Sequence, residues 1–239
     1  LDHLSKCGFS EQHLKSQFST SKISEVPIYN NVASTQTRCL PEVTCRISAI
    51  RETFEETGLL FCQSSPLCQG PSPISTGMID DLPAWQERIH QEPEQFLRLC
   101  REKEIYPSVW DLHEWSNWLT PKHLGPRRFD TIFYLCICEL EPNVNIDNKE
   151  ITEVQVNCAI ESNYFIKNNQ FLQQWLDPLA ALRQHFKGVI QLAPPQVYEL
   201  SRLANITKLD DIKKFVAARS ARGVQRWLPI GLQTKGGLM

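Results

Sequence analysis

The stretch Arg51-Glu52-Thr53-Phe54-Glu55-Glu56-Thr57-Gly58-Leu59 decides how this chain is read. It has the form R-E-x-x-E-E-x-G-apolar. A helix advances about 100° per residue, so Val43, Ile47, Ile50 and Phe54 fall within roughly 60° of one another as a core-facing stripe. Glu52, Glu55 and Glu56 fall on the other side, spread over roughly 100°. Pro41 suits a first helical turn and Gly58 suits a left-handed stop. The pattern predicts one helix from Pro41 to Thr57.

Carboxylates at i, i+3 and i+4 repel one another and weaken a bare helix. A bound cation turns that repulsion into coordination. Mg²⁺ and Mn²⁺ take oxygen ligands, and Mg²⁺ is held by a few carboxylates with water and substrate phosphate completing its shell. The alternative is a solvated acidic face. Five fixed residues coincide here, which chance supplies in only about one in several thousand chains of this length. The metal-site reading therefore leads.

The rest of the composition narrows the class. With 239 residues, 41% of them hydrophobic, the chain can bury the core of one domain with insertions. A net charge of -2 gives no reason to expect nucleic-acid or membrane-surface binding. No apolar run approaches the roughly eighteen residues that span a bilayer. The nine cysteines are scattered without paired C-x-x-C knuckles, which argues against zinc and fits a reducing, intracellular compartment. The chain starts at Leu1 without a signal pattern and stops at Met239, and both ends read as cut.

Residues 1–40 are polar and aperiodic and read as loop or insertion. After the box helix, Leu59-Leu60-Phe61 is expected to enter a strand, and residues 62–80 form a Pro/Ser/Gly linker. Helices are expected near Leu82–Gln91 and Pro93–Lys103, the second carrying Phe96, Leu97 and Cys100. Trp110, Trp115 and Trp118 crowd one segment. Either they make a stacking platform for an adenine base, with Trp118 the candidate contact, or they are core and strand packing, which is the commoner outcome. His113 reads as a structural hydrogen-bonding histidine. The run Arg127–Cys138 is the strongest strand and is expected to be central, with Ile151–Ala159 a second strand. Arg127 and Arg128 at its mouth either pair with phosphate or form a solvated strand end. Residues 163–187 and 194–221 read as helical, with a separate helix from Leu209.

The Arg-Glu segment resembles the catalytic half of the Nudix box, the signature of hydrolases that cleave diphosphates linked to a nucleoside. The positions where that box carries a Gly and a Glu ahead of the Arg hold Thr37 and Val43 here. Further segments resemble one subgroup, the acyl-coenzyme A diphosphatases: Phe96-Leu97-Arg98-Leu99-Cys100, Leu119-Thr120-Pro121, Arg127-Arg128-Phe129-Asp130-Thr131, Leu192-Ala193-Pro194-Pro195-Gln196 and Arg226-Trp227-Leu228-Pro229. That resemblance runs from about residue 41 to 232. The subgroup carries a long insertion inside its box, so this reading expects the chain to begin within the insertion, with the glycine loop upstream.

The resemblance implies a Nudix-type α/β/α sandwich with a mixed sheet, a helical insertion and a helical C-terminal extension from about residue 163. It implies that Glu52, Glu55 and Glu56 bind Mg²⁺ or Mn²⁺ and that Arg51 orients the carboxylates. The metal ions would neutralise the diphosphate and activate a water for attack on phosphorus. Glu55, Glu56 or a carboxylate elsewhere such as Glu150 would be the base, although Glu150 by itself reads as a strand-end charge. The implied substrate is coenzyme A or acyl-coenzyme A, cleaved to 3′,5′-ADP and 4′-phosphopantetheine or its acyl form, in a peroxisome or mitochondrion. The alternatives are another nucleoside diphosphate derivative (ADP-ribose, NADH, a dinucleotide polyphosphate) or a silent binding protein that keeps the fold.

Overall fold

Helix α1 spans Pro41–Thr57, the bounds the sequence pattern sets. It belongs to a computed structural model that describes residues 41–64, 79–122, 128–137, 156–158, 164–166, 174–220, 222–231, 233–234 and 237–238. Val43, Ile50 and Phe54 are buried, with Ile47 packed against the same cluster. Gly58 takes φ 70°, and its N–H donates to the Phe54 carbonyl at 2.8 Å. That left-handed step needs a residue without a Cβ and ends the helix. The Thr57 hydroxyl accepts from Leu59 N–H at 3.1 Å and turns the chain into the core, where Leu59, Leu60 and Phe61 are buried.

Strand β1, Cys62–Gln63, pairs antiparallel with β2, Tyr106–Pro107. Between them lie α2, Leu82–Gln91, and α3, Gln95–Glu102. Pro83 sits in the first turn of α2, as a helix start favours. On α3 the buried residues are Phe96, Leu99 and Cys100, and Leu97 lies at the edge of the cluster.

Strand β3, Leu112–Leu119, pairs antiparallel with β4, Asp130–Cys136, and parallel with β8, Arg226–Trp227, which makes a mixed sheet. Among the described residues the order is β4-β3-β8, so the Trp-bearing β3 is the middle strand. Within that set β4 stands at the side, where the Arg127–Cys138 run was expected to be central. Its apolar side chains face helices on both sides of the sheet, and a run of that kind does not by itself separate a middle strand from one at the side.

The sheet divides two cores. Leu112 and Cys136 face the cluster built by α1, α2 and α3. Trp115 and Leu135 face a second cluster with three C-terminal helices: α4, Pro178–Phe186, α5, Pro194–Ala204, and α6, Leu209–Ser220. Helices therefore cover both faces of a mixed sheet, the α/β/α arrangement expected of the chain.

A second correction concerns residues 163–187. They contain strands β6, Tyr164–Ile166, and β7, Gln174–Leu176, in an antiparallel meander with β5, Val156–Cys158. The helix begins only at Pro178, where the Asp177 side chain caps the Ala180 N–H at 2.9 Å. The Asp-Pro pair was the legible start signal. Short strands β9, Gln233–Thr234, and β10, Gly237–Leu238, close the described chain. The polar stretch 1–40, the linker core at 65–78, Arg127 and Glu150 lie outside the described residues. No helix among those described is long and apolar enough to cross a membrane.

Cys45, Cys62, Cys100 and Cys136 are free thiols. Burial pushes the Cys62 thiol up to about 12 and, against the nearby Arg46 charge, Cys45 up to about 11. Only the thiolate is nucleophilic. Native protein treated with iodoacetamide at mildly alkaline pH is thus expected to leave both residues unmodified, with full modification in urea, as read by peptide mass spectrometry. Rapid labelling of Cys62 in the folded protein would contradict its placement.

Candidate active site

The three box carboxylates do not share one environment. Glu55 and Glu56 are each only 6% exposed, whereas the Glu52 side chain is 46% exposed. The helix alone puts all three on the side away from the Val43 stripe. Helix α2 packs against the last turns of α1 and brings Gln86 and His90 beside Glu55.

Arg51 holds the group together. Its guanidinium bonds Glu55 through one terminal nitrogen and Glu52 through the other. The Glu55 contact is an i, i+4 helical pair, with the cation on the N-terminal side. Glu52 is the next residue along, and the planar fork reaches it because its two nitrogens diverge. Burial acts to lower the Arg51 pKa, and the Glu52 and Glu55 carboxylates outweigh it, so the group stays above its ordinary value. Burial pushes the Glu55 carboxyl above its usual range, against the hydrogen bond and charge of Arg51. His90 of α2 brings Nδ1 to 4.0 Å from Glu55 Oε2.

The donor set suits a hard divalent cation, being carboxylate oxygen on adjoining turns of one helix. Among the described residues no three acidic, histidine or cysteine side chains converge as a ready-made cage. Such a cage is not what Mg²⁺ chemistry requires, since water and phosphate oxygens complete its shell. The residues fit the ion as a partial, substrate-completed site.

The other candidates stand apart from this group. Trp118 faces α5, across the sheet from α1. Its indole N–H donates to Glu199 Oε1 at 2.8 Å, its ring stacks on Trp227 at 5.9 Å, and Tyr198 meets it edge-on. These are the contacts of the packing reading. Arg128 is exposed and donates through Nε to the Thr120 carbonyl at 2.8 Å, which helps close the β3–β4 connection. His113 sits in β3, where burial and the Arg46 charge hold its pKa below the ordinary value.

Three side chains that hold this frame were not picked out from sequence. Arg46 is buried and bonds the Leu112 carbonyl, Glu42 at 2.7 Å and Glu114 at 3.3 Å, tying α1 to β3. Its i, i+4 spacing from Glu42 was a legible signal, but the strand partner was not. Gln86 donates to the Phe54 and Glu55 carbonyls at 3.2 and 3.1 Å. Glu199 accepts from both Trp115 and Trp118.

A family described as the NUDT19 Nudix domain matches residues 4–203. The human protein named acyl-coenzyme A diphosphatase NUDT19 is 37% identical over 227 residues, covering 93% of this chain and 56% of that protein. The Gallus gallus protein of the same name is 40% identical over 214 residues, 83% of this chain and 50% of that one. The chain thus spans about half the length of these curated relatives. A crystal structure of a NUDIX hydrolase from Alicyclobacillus acidocaldarius aligns with TM-score 0.51 at 16% identity, over 79% of this chain and 76% of the other, a likeness of fold. Nudix hydrolases as a group work with divalent metal ions, which is the chemistry the α1 carboxylates offer. With the family match covering most of its residues, the chain belongs to the Nudix hydrolase family, in the group described by the NUDT19 Nudix domain.

Proposed function

We propose that this protein hydrolyses the diphosphate of coenzyme A and acyl-coenzyme A, releasing 3′,5′-ADP and 4′-phosphopantetheine or its acyl form. The observation that carries the reading is Arg51 bonded to both Glu52 and Glu55, with Glu56 buried on the same turn. The name shared by the human and Gallus gallus relatives supports the substrate class.

In this proposal Glu52, Glu55 and Glu56 hold Mg²⁺ or Mn²⁺. The bound ion supplies charge neutralisation at the diphosphate and acidifies water for in-line attack on phosphorus. Arg51 opposes the burial that raises the Glu55 carboxyl and holds that side chain in one direction, so less reorganisation is needed as charge builds on the phosphoryl oxygens. Glu55 or Glu56 takes the proton from the attacking water. The exposed half of Glu52 leaves room for the substrate's own oxygens. The free thiols fit a reducing compartment, and the subgroup resemblance points to a peroxisome or mitochondrion.

The test is a substrate panel. The full chain is incubated with coenzyme A, an acyl-coenzyme A, ADP-ribose and NADH, each with Mg²⁺ or Mn²⁺. The expected result is the highest kcat/KM on the coenzyme A compounds. A preference for ADP-ribose or NADH would keep the hydrolase and overturn the substrate. Folded, metal-binding protein that cleaves none of them would point to a binding role.

A further inference from the structure

The last turn of α1 has an electrostatic problem. It carries Glu55 and Glu56 at the end of the helix where the dipole is already negative, and no basic residue stands in that turn to offset them. The terminal carbonyls also lack intrahelical donors. Gly58 N–H reaches the Phe54 carbonyl, but the glycine only ends the helix and leaves Glu55 and Glu56 on a turn prone to fray.

Gln86 answers this from a different element. It is 3% exposed, and its side-chain amide donates to two successive carbonyls of that turn, Phe54 at 3.2 Å and Glu55 at 3.1 Å. The amide is itself fixed, because Trp85 and Ile89 on either side of it along α2 are anchored in the α1–α3 core. A neutral donor suits the place. It offsets the helix's negative end without forming an ion pair that would take a carboxylate away from a cation.

We infer that Gln86 is a positioning residue for the metal site, its amide locking the backbone turn that carries Glu55 and Glu56. The inference rests on the proposed metal role of those glutamates. It assigns helix α2 a part in catalysis beyond packing: loss of the amide leaves the fold and the ligands in place but lets their spacing vary.

The test measures Mn²⁺ affinity by electron paramagnetic resonance on the full chain, beside thermal melts. Gln86→Met keeps the length and removes the donors. It is expected to weaken Mn²⁺ binding about tenfold, the low end for an outer-shell partner, and to lower kcat with little change in KM. Gln86→Leu, neutral and also without donors, should do the same and serves if the Met variant folds poorly. Ile89→Val loosens the same helix without touching the carbonyls and should lower Tm while keeping the affinity. Glu56→Gln should weaken Mn²⁺ binding outright. If it does and both Gln86 variants bind normally, Gln86 is only a packing residue. An Ile89→Val loss equal to that of Gln86→Met overturns the inference in the same way. If Glu56→Gln also binds normally, the metal reading itself fails.

Discussion

Glu56→Gln in the full chain is expected to lower kcat for coenzyme A by about 10²–10³-fold, the equivalent of roughly 3–4 kcal/mol of transition-state stabilisation. The same substitution is expected to leave Tm unchanged or slightly raised. Glutamine matches glutamate in size, so the packing around this buried side chain survives. Removing one of three like charges at helical spacing also relieves repulsion when no cation is present. This opposite movement of activity and stability separates a metal ligand from a structural carboxylate, whose loss would lower both. Side-by-side melting curves and initial rates measure it. Near-normal activity in the variant would remove Glu56 from the site.

The largest stability effect is expected across the sheet, at Glu199. This buried carboxylate of α5 accepts from Trp118 at 2.8 Å, from Trp115 at 2.8 Å and from Arg202 at 2.7 Å. Two residues three apart on a regular strand point to opposite faces. The register of β3 against β4 shifts between Glu114 and Ser116, leaving Trp115 as the extra residue of a bulge. That bulge turns both indoles to the same side, where one carboxylate serves them. Glu199→Ala strands the buried Trp115 N–H, leaves the Trp118 N–H only the Ser116 hydroxyl at 3.2 Å and unpairs Arg202, at a cost of about 3–5 kcal/mol. The corresponding fall in Tm is roughly 10 °C. Glu199→Gln keeps one acceptor oxygen and should lose about half as much. A melting temperature close to that of the unsubstituted protein in the Ala variant would contradict the clamp.

How far the sequence reached depends on whether the deciding interactions are local. Helix α1 was legible to the residue because its start, stripe and stop are all short-range signals: Pro41, the Val43–Phe54 periodicity and Gly58. The Arg51 bridge to Glu55 is also local, being an i, i+4 contact. The surroundings of Glu55 were not legible, since Gln86 and His90 reach it from α2, which follows only after a long linker. For the same reason Gln86 looked like any polar residue on a short helix. The Trp cluster could be read two ways until the bulge was known, and no residue type announces a bulge at Trp115. Tyr164–Ile166 and Gln174–Leu176 lie in a run expected to be helical, and antiparallel pairing with each other and with the neighbouring Val156–Cys158 decided against it.

Whether the α1 carboxylates serve a metal-dependent diphosphatase is decided by the product formed from coenzyme A by the full chain. It would be followed with Mg²⁺ present, after chelation with EDTA, and after Mg²⁺ is restored. Equal amounts of 3′,5′-ADP and 4′-phosphopantetheine are expected, with formation stopped by the chelator and resumed with the ion. Cleavage that continues in the chelator, or cleavage at any bond other than the diphosphate, would contradict it.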